Sequence, residues 1–211
     1  MLAAMKPPWR VVVYGPSGSG KSTTINKIVS EVGGYFDKII VNAENATDNP
    51  NYSYATQCFD GDAFERFARI VQYQKESLRQ GRKLLKILLC LEDFSTIYSG
   101  ANSKKLAKFV LTARHYAISI ITVAHRLSSL PTQVRDNCTG IFVVARPRPD
   151  QFKIIAGISE MEENELRRAC ERVQVGRVLY LPAREDSAYF LEVEPKYATR
   201  ELDDLGDADY E

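Results

Sequence analysis

The stretch VVVYGPSGSGKSTT, residues 11–24, decides the fold. Four apolar residues end in Gly15, and the segment then matches G-x-x-x-x-G-K-[ST] between an apolar strand and a helical pattern. Glycines at such a turn let backbone N–H groups converge on phosphate oxygens, and the start of the following helix adds partial positive charge. The loop therefore predicts a nucleoside-triphosphate site made by Gly15, Pro16, Ser17, Gly18, Ser19, Gly20, Lys21, Ser22 and Thr23. Lys21 would reach the β- and γ-phosphates and the Ser22 hydroxyl would sit on Mg²⁺, so ATP and Mg²⁺ are the expected ligands. The loop is silent on the reaction, because kinases, GTP switches and motors share it.

Outward from this loop the chain alternates short apolar runs with amphipathic ones, as in a mainly parallel sheet covered by helices. Strands are expected at RVVVYG, around residues 38–42, at KLLKILLCLED, at AISIITVAH and at GIFVVAR. Helices are expected over residues 21–32, across GDAFERFARIVQYQKESLRQG, over residues 102–116 and across SEMEENELRRACERVQ, with Ser159 as the cap of the last. In the second helix Phe64, Phe67, Ala68, Val71 and Leu78 recur at core spacing. NATDNPNYSYATQ reads as an exposed loop, and GRVLYLP with SAYFLEVEP as a closing β-hairpin. The fold class is thus α/β, a P-loop NTPase with a mainly parallel central sheet, flanking helices and a C-terminal hairpin. Residues 1–197 are expected to form one ATPase domain and residues 198–211 an acidic, loosely ordered tail.

Composition narrows the setting. With 211 residues, 45% of them hydrophobic, and a net charge of +1, the chain has no global signature of nucleic-acid binding, so any such contact must be local or built from several copies. No apolar run approaches the ~20 residues that span a bilayer. Cys58, Cys90, Cys138 and Cys170 lack metal-ligand spacing and read as reduced, buried thiols.

Glu92 and Asp93 close the strand ILLCLED. An acid at a strand tip beside a phosphate loop holds Mg²⁺, and a second one can orient and deprotonate a water for in-line attack. Position favours Glu92 on the metal and Asp93 as base, with exchange of the two roles left open. The pair favours ATP hydrolysis over a GTP switch or kinase.

Residues 111–144, LTARHYAISIITVAHRLSSLPTQVRDNCTGIFVV, carry the rest. Arg114-His115 precedes a buried strand that ends in His125, where ligands of a parallel sheet collect. Leu130-Pro131 and Arg135-Asp136-Asn137 follow. This order resembles the FtsK–HerA superfamily of ring-shaped DNA-pumping ATPases, in particular the genome-packaging ATPases of double-jelly-roll-capsid and large DNA viruses. The resemblance spans residues 10–146, with His125 where the family usually has Gln and Asp93 where it often has Glu. It implies a RecA/FtsK-like motor assembled as a ring, expected to be a hexamer, that moves double-stranded DNA into a preformed capsid. It implies further that an arginine from the neighbouring subunit completes each site, with Arg114 and Arg135 the candidates and Arg126 a third. His115 reads as a packing histidine. A capsid or vertex protein is an expected further partner, and the expected location is the host cell cytoplasm, in association with the virion or procapsid.

DNA contacts would fall to Lys104, Lys105 and Lys108, to Arg146 and Arg148 in ARPRPDQFK, and to Tyr52 and Tyr54 by stacking. Each of these equally fits a solvated face. The alternatives are a cellular or plasmid DNA translocase of the same superfamily, a small-molecule P-loop kinase whose lid ARPRPDQFK would have to supply, and a non-catalytic assembly factor stabilised by nucleotide.

Overall fold

Alternation of apolar side chains along the strands builds two cores, one on each face of a single sheet. In a computed structural model, which describes residues 7–43, 46–47, 49–60, 63–92 and 100–194, the strands are β1 (Arg10–Tyr14), β2 (Lys38–Asn42), β3 (Gln57–Phe59), β4 (Ile87–Leu91), β5 (Ile118–Ala124), β6 (Gly140–Val143), β7 (Arg177–Pro182) and β8 (Tyr189–Glu192). They form one eight-stranded sheet in the order β3-β2-β4-β5-β1-β6-β7-β8. β1 to β6 run parallel, and β7 and β8 are antiparallel additions at one edge. The expected fold class, including the C-terminal hairpin, is borne out.

Side chains at successive positions point to opposite faces. On one face Val11, Val13, Leu88, Cys90, Ile121 and Val123 meet Ile25, Ile28 and Val29 of helix α1 (Lys21–Val32). On the other, Leu89, Leu91, Ile118 and Ile120 pack beneath α2 (Phe64–Arg79) and α3 (Gly100–Ala113), where Phe67 and Phe109 stack with ring centroids 4.5 Å apart. A short α4 (Thr132–Asp136) leans on α3. Farther along the same face α5 (Pro149–Ile158) and α6 (Glu163–Glu171) cover Val12, Tyr14, Ile141 and Val143. Burial on both faces explains why the central strands read as continuous apolar runs.

Several local expectations are corrected. The buried face of α2 runs through Phe67, Val71, Gln74 and Ser77, leaving Ala68 and Leu78 exposed. Gln74 earns its burial by binding backbone, its amide nitrogen donating to the carbonyls of Leu85 and Tyr116. Ser159 closes α5 instead of opening α6, whose first turn follows Glu162. Half of ARPRPDQFK is helical, because Pro149 occupies the first turn of α5, where a missing N–H leaves nothing unpaired. The loop expected at residues 45–57 contains a one-turn 3₁₀ helix (Pro50–Tyr52), with Asn49 capping it, and leads into β3. Asp93 and the tail at 198–211 lie outside the described residues.

Candidate functional site

Three parallel strands, β1, β4 and β5, deliver their polar C-terminal residues to one mouth. After β1 the chain enters the glycine loop, with the Gly15 amide donating to the carbonyl of Ala124 at the end of β5, 3.2 Å away. Gly20 turns into α1 with φ +90, a left-handed conformation that only glycine adopts without strain. Lys21 folds back over the loop and is buried; its ammonium donates to the Pro16 carbonyl at 2.8 Å and lies 3.3 Å from Nδ1 of His125. An ammonium only donates, so His125 Nδ1 accepts, and a neutral ring then carries its proton on Nε2.

Glu92, directly after β4, is buried, and its Oε2 accepts from the Ser22 hydroxyl at 3.1 Å and from the Tyr52 hydroxyl at 3.0 Å. A buried carboxylate needs such partners, since hydrogen bonds offset the cost of taking it from water. Tyr52 was expected to be an exposed stacking residue; the capped turn at Pro50–Tyr52 buries it instead, so it is no DNA platform. Tyr54 packs edge-on against Tyr52, and burial, ahead of nearby Cys90 and Glu92, pushes its phenol well above the ordinary range.

Together these residues line a cavity of about 690 Å³. Its floor is Ser17 to Thr24, with Val144 packed against Gly15 and Gly20 and with Glu92 and His125 beside it, and its far wall comes from Gln174, Val175, Gly176, Val178 and Val193. Pro16 and Gly15 shape the loop from behind. Converging backbone donors, one lysine and a helix start suit a polyphosphate. Two hard oxygen donors, Ser22 Oγ and Glu92 Oε2, stand within reach of one another. That donor set fits Mg²⁺, which takes one or two protein oxygens and completes its shell with substrate phosphates and water. Among the described residues no group of three or more His, Cys, Asp or Glu side chains forms a protein-only metal cage.

The candidate arginines are elsewhere. Arg114 is exposed in a 3₁₀ turn (Arg114–Tyr116) ahead of β5, so the strand's seven residues, roughly 20 Å, separate it from His125. His115 is exposed beside it, not packed, with Nε2 accepting from Arg114 Nε at 3.5 Å. Arg135 sits on α4, bonded to Thr132, and lines a separate polar hollow of about 420 Å³ with Ser103, Ser128 and Ser129. Arg126 is exposed just past His125. Lys104, Lys105, Lys108 and Arg148 are exposed as well, and Arg146 is paired with Glu171 at 3.7 Å. Sequence reasoning missed Tyr52 and the whole hairpin wall; the only advance signal for Tyr52 was Asn-Pro two residues upstream, which caps and starts a turn.

Comparison with known proteins agrees with this fold. The structure is similar to the genome-packaging NTPase B204 of Sulfolobus turreted icosahedral virus 2 in its sulfate complex, at TM-score 0.68 and 17% identity over 90% of this chain and 99% of that one. The AMPPCP complex of the same NTPase gives TM-score 0.63 at 15% identity, covering 90% and 100%. EssC (ATPases 2 and 3) of Geobacillus thermodenitrificans gives TM-score 0.63 at 16% identity, over 88% of this chain and 39% of that one. These likenesses bear out the fold relationship expected from the motifs. No curated protein sequence matches. The model of one family matches residues 3–156, ending before the hairpin that forms the cavity's far wall. The chain belongs to the Poxvirus A32 protein family.

Proposed function

We propose that this chain is an ATPase of viral genome packaging, the subunit of a ring, expected to be hexameric, that translocates double-stranded DNA into a preformed capsid. One observation carries this reading. Lys21 with His125, and Ser22 with Glu92, meet at one cavity, while Arg114 stands at the opposite end of the same strands. A hydrolytic site gains from a cation at the transferring phosphoryl group beyond the loop lysine, and in this reading a second copy of the chain supplies it.

In this account the loop amides and Lys21 hold the β- and γ-phosphates. Ser22 and Glu92 hold Mg²⁺, which when bound neutralises charge on the phosphate oxygens. Tyr52 fixes the Glu92 carboxylate. Asp93, next in sequence, takes the proton of a water whose oxygen attacks the γ-phosphorus as the bond to the β–γ bridging oxygen breaks, leaving ADP and phosphate. His125, donating from Nε2, orients that water or a γ-oxygen. Arg114 of the neighbour, or Arg135, meets the charge that develops. The role of B204 as a DNA-packaging ATPase supports packaging, and its complex with an ATP analogue supports ATP as ligand. Among the described residues no helix is long and apolar enough to cross a membrane. The site of action would be the host cytoplasm at the procapsid, with a capsid or vertex protein as docking partner.

The kinase alternative needs an arginine-rich lid, and the stretch that would supply it opens α5 and pairs Arg146 with Glu171. Steady-state phosphate release with and without duplex DNA, alongside native mass, tests the proposal. We expect a ring whose turnover rises with DNA; a monomer that transfers phosphate to a nucleoside would refute it.

A further inference from the structure

The far wall of the phosphate cavity has a chemistry of its own. Gln174, Val175, Gly176 and Arg177 form a tight turn closed on both sides, Arg177 N donating to Gln174 O at 2.9 Å and Gln174 N to Arg177 O at 3.3 Å. Gly176 takes φ +82 at the third position, as a type II turn requires. The turn is anchored to the residue that follows β8, since Val193 N donates to Gly176 O at 2.7 Å. The consequence is an odd placement: Val175 stands at the tip, 87% exposed, far more than any other exposed large apolar side chain among the described residues. Behind it Val178 and Val193 are buried and present methyl groups to the same cavity.

The cavity is therefore polar and cationic at one end and apolar at the other. A nucleoside triphosphate has the same polarity, with a charged tail and a flat, weakly hydrated ring. Its dimensions also suit the task, for a volume of about 690 Å³ lies inside the range of small-ligand sites. The one carboxylate lining it among the described residues, Glu92, is engaged by Ser22 and Tyr52 at the phosphate end. No described acid faces the apolar end, where recognition of guanine's N1–H and amino group would call for one. The Gln174 amide offers both a donor and an acceptor, and so can meet the edge of either purine.

We propose that Val175, Val178 and Val193 seat the nucleobase between their side chains, with Gln174 at its edge, in a site that accepts adenine and guanine with little discrimination. This rests on the nucleotide reading of the cavity. Seating requires the ring to cover Val175, which accounts for an apolar residue at the tip of a turn that water otherwise surrounds.

Calorimetry on the whole chain with Mg²⁺ and ATP, GTP or inorganic tripolyphosphate tests it without turnover. ATP and GTP are expected to bind within about fivefold of each other and at least about tenfold more tightly than tripolyphosphate. Val175→Ser, a neutral change on an exposed side chain, should weaken ATP and GTP by about fivefold and leave tripolyphosphate unaltered. Gln174→Ala should give the smaller loss with the same pattern. The proposal is overturned if ATP binds no better than tripolyphosphate, if Val175→Ser weakens all three ligands alike or none, or if one purine is preferred by more than about fiftyfold. A protein that shows the expected pattern and never hydrolyses ATP would sink the motor and keep the base seat. Failure to bind any of the three ligands would sink both.

Discussion

The two ends of the parallel strands differ in how their charges are met. At the C-terminal ends of β1, β4 and β5, polar groups find one another within the chain: Lys21 with Pro16 and His125, Ser22 and Tyr52 with Glu92. At the other end Arg10, Arg114 and Arg184 gather, and among the described residues no carboxylate is paired with any of them. Arg10 has Nε and Nη1 buried with no hydrogen-bond partner. Burial first, then the positive charge of Arg114, lowers its pKa. Arg184, held with φ +62, donates from its guanidinium to the Asp136 backbone carbonyl and from its backbone N–H to that of Ile158. One end is a receptor built for anions, and the other holds cations that pair with no carboxylate among the described residues. Copies set end against end would bring such cations to the anion receptor, which is the physical content of the ring proposal.

The comparison can be broken at either end. The largest expected effect is at the receptor: Glu92→Gln should cut phosphate release by about a thousandfold while calorimetry still finds nucleotide bound, because the loop and Lys21 remain. Next is the opposite end, where Arg114→Ala should lower kcat about a hundredfold with nucleotide affinity unchanged in the isolated chain. Arg135→Ala, assayed beside it, sharpens the choice between the two candidate fingers. A smaller loss is expected for Tyr52→Phe. Removing one hydrogen bond to a buried carboxylate should cost about 1.5–3 kcal/mol in denaturant unfolding and about tenfold in kcat. Least of all, Arg10→Met should leave thermal stability unchanged or slightly raised, by about 1 kcal/mol at most, since it removes a partly buried charge with no carboxylate partner among the described residues. A clear fall in Tm would show that Arg10 is held by something the contacts do not reveal.

What the amino-acid sequence disclosed followed from locality. The glycine loop, α1 and the central strands are legible because phosphate-binding geometry and two-sided burial are written in consecutive residues. The Tyr52 contact was hidden, because its partner Glu92 is forty positions away and its own neighbours are polar. The phase of α2 was misread because two of its inward residues, Gln74 and Ser77, are polar, and the backbone carbonyls that receive Gln74 leave no trace in periodicity. Likewise α5 hid behind Arg146, Pro147, Arg148 and Pro149, a run that resembles a loop until the last proline is placed in the first turn of a helix. The hairpin wall of the cavity could be foreseen as strands but not as a lining, since its approach to the phosphate loop depends on β6 and β7 lying beside β1.

The central claim is that one chain's phosphate site is finished by another chain's arginine. It is tested most directly by mixing Lys21→Ala protein, which lacks a working receptor, with Arg114→Ala protein, which lacks the finger, and measuring phosphate release across mixing ratios. Each alone should be nearly inactive, and an equal mixture that co-assembles should recover roughly a quarter of the unmodified rate, the share of interfaces that pair an intact receptor with an intact arginine. Mixed rings that stay inactive at every ratio would contradict the account.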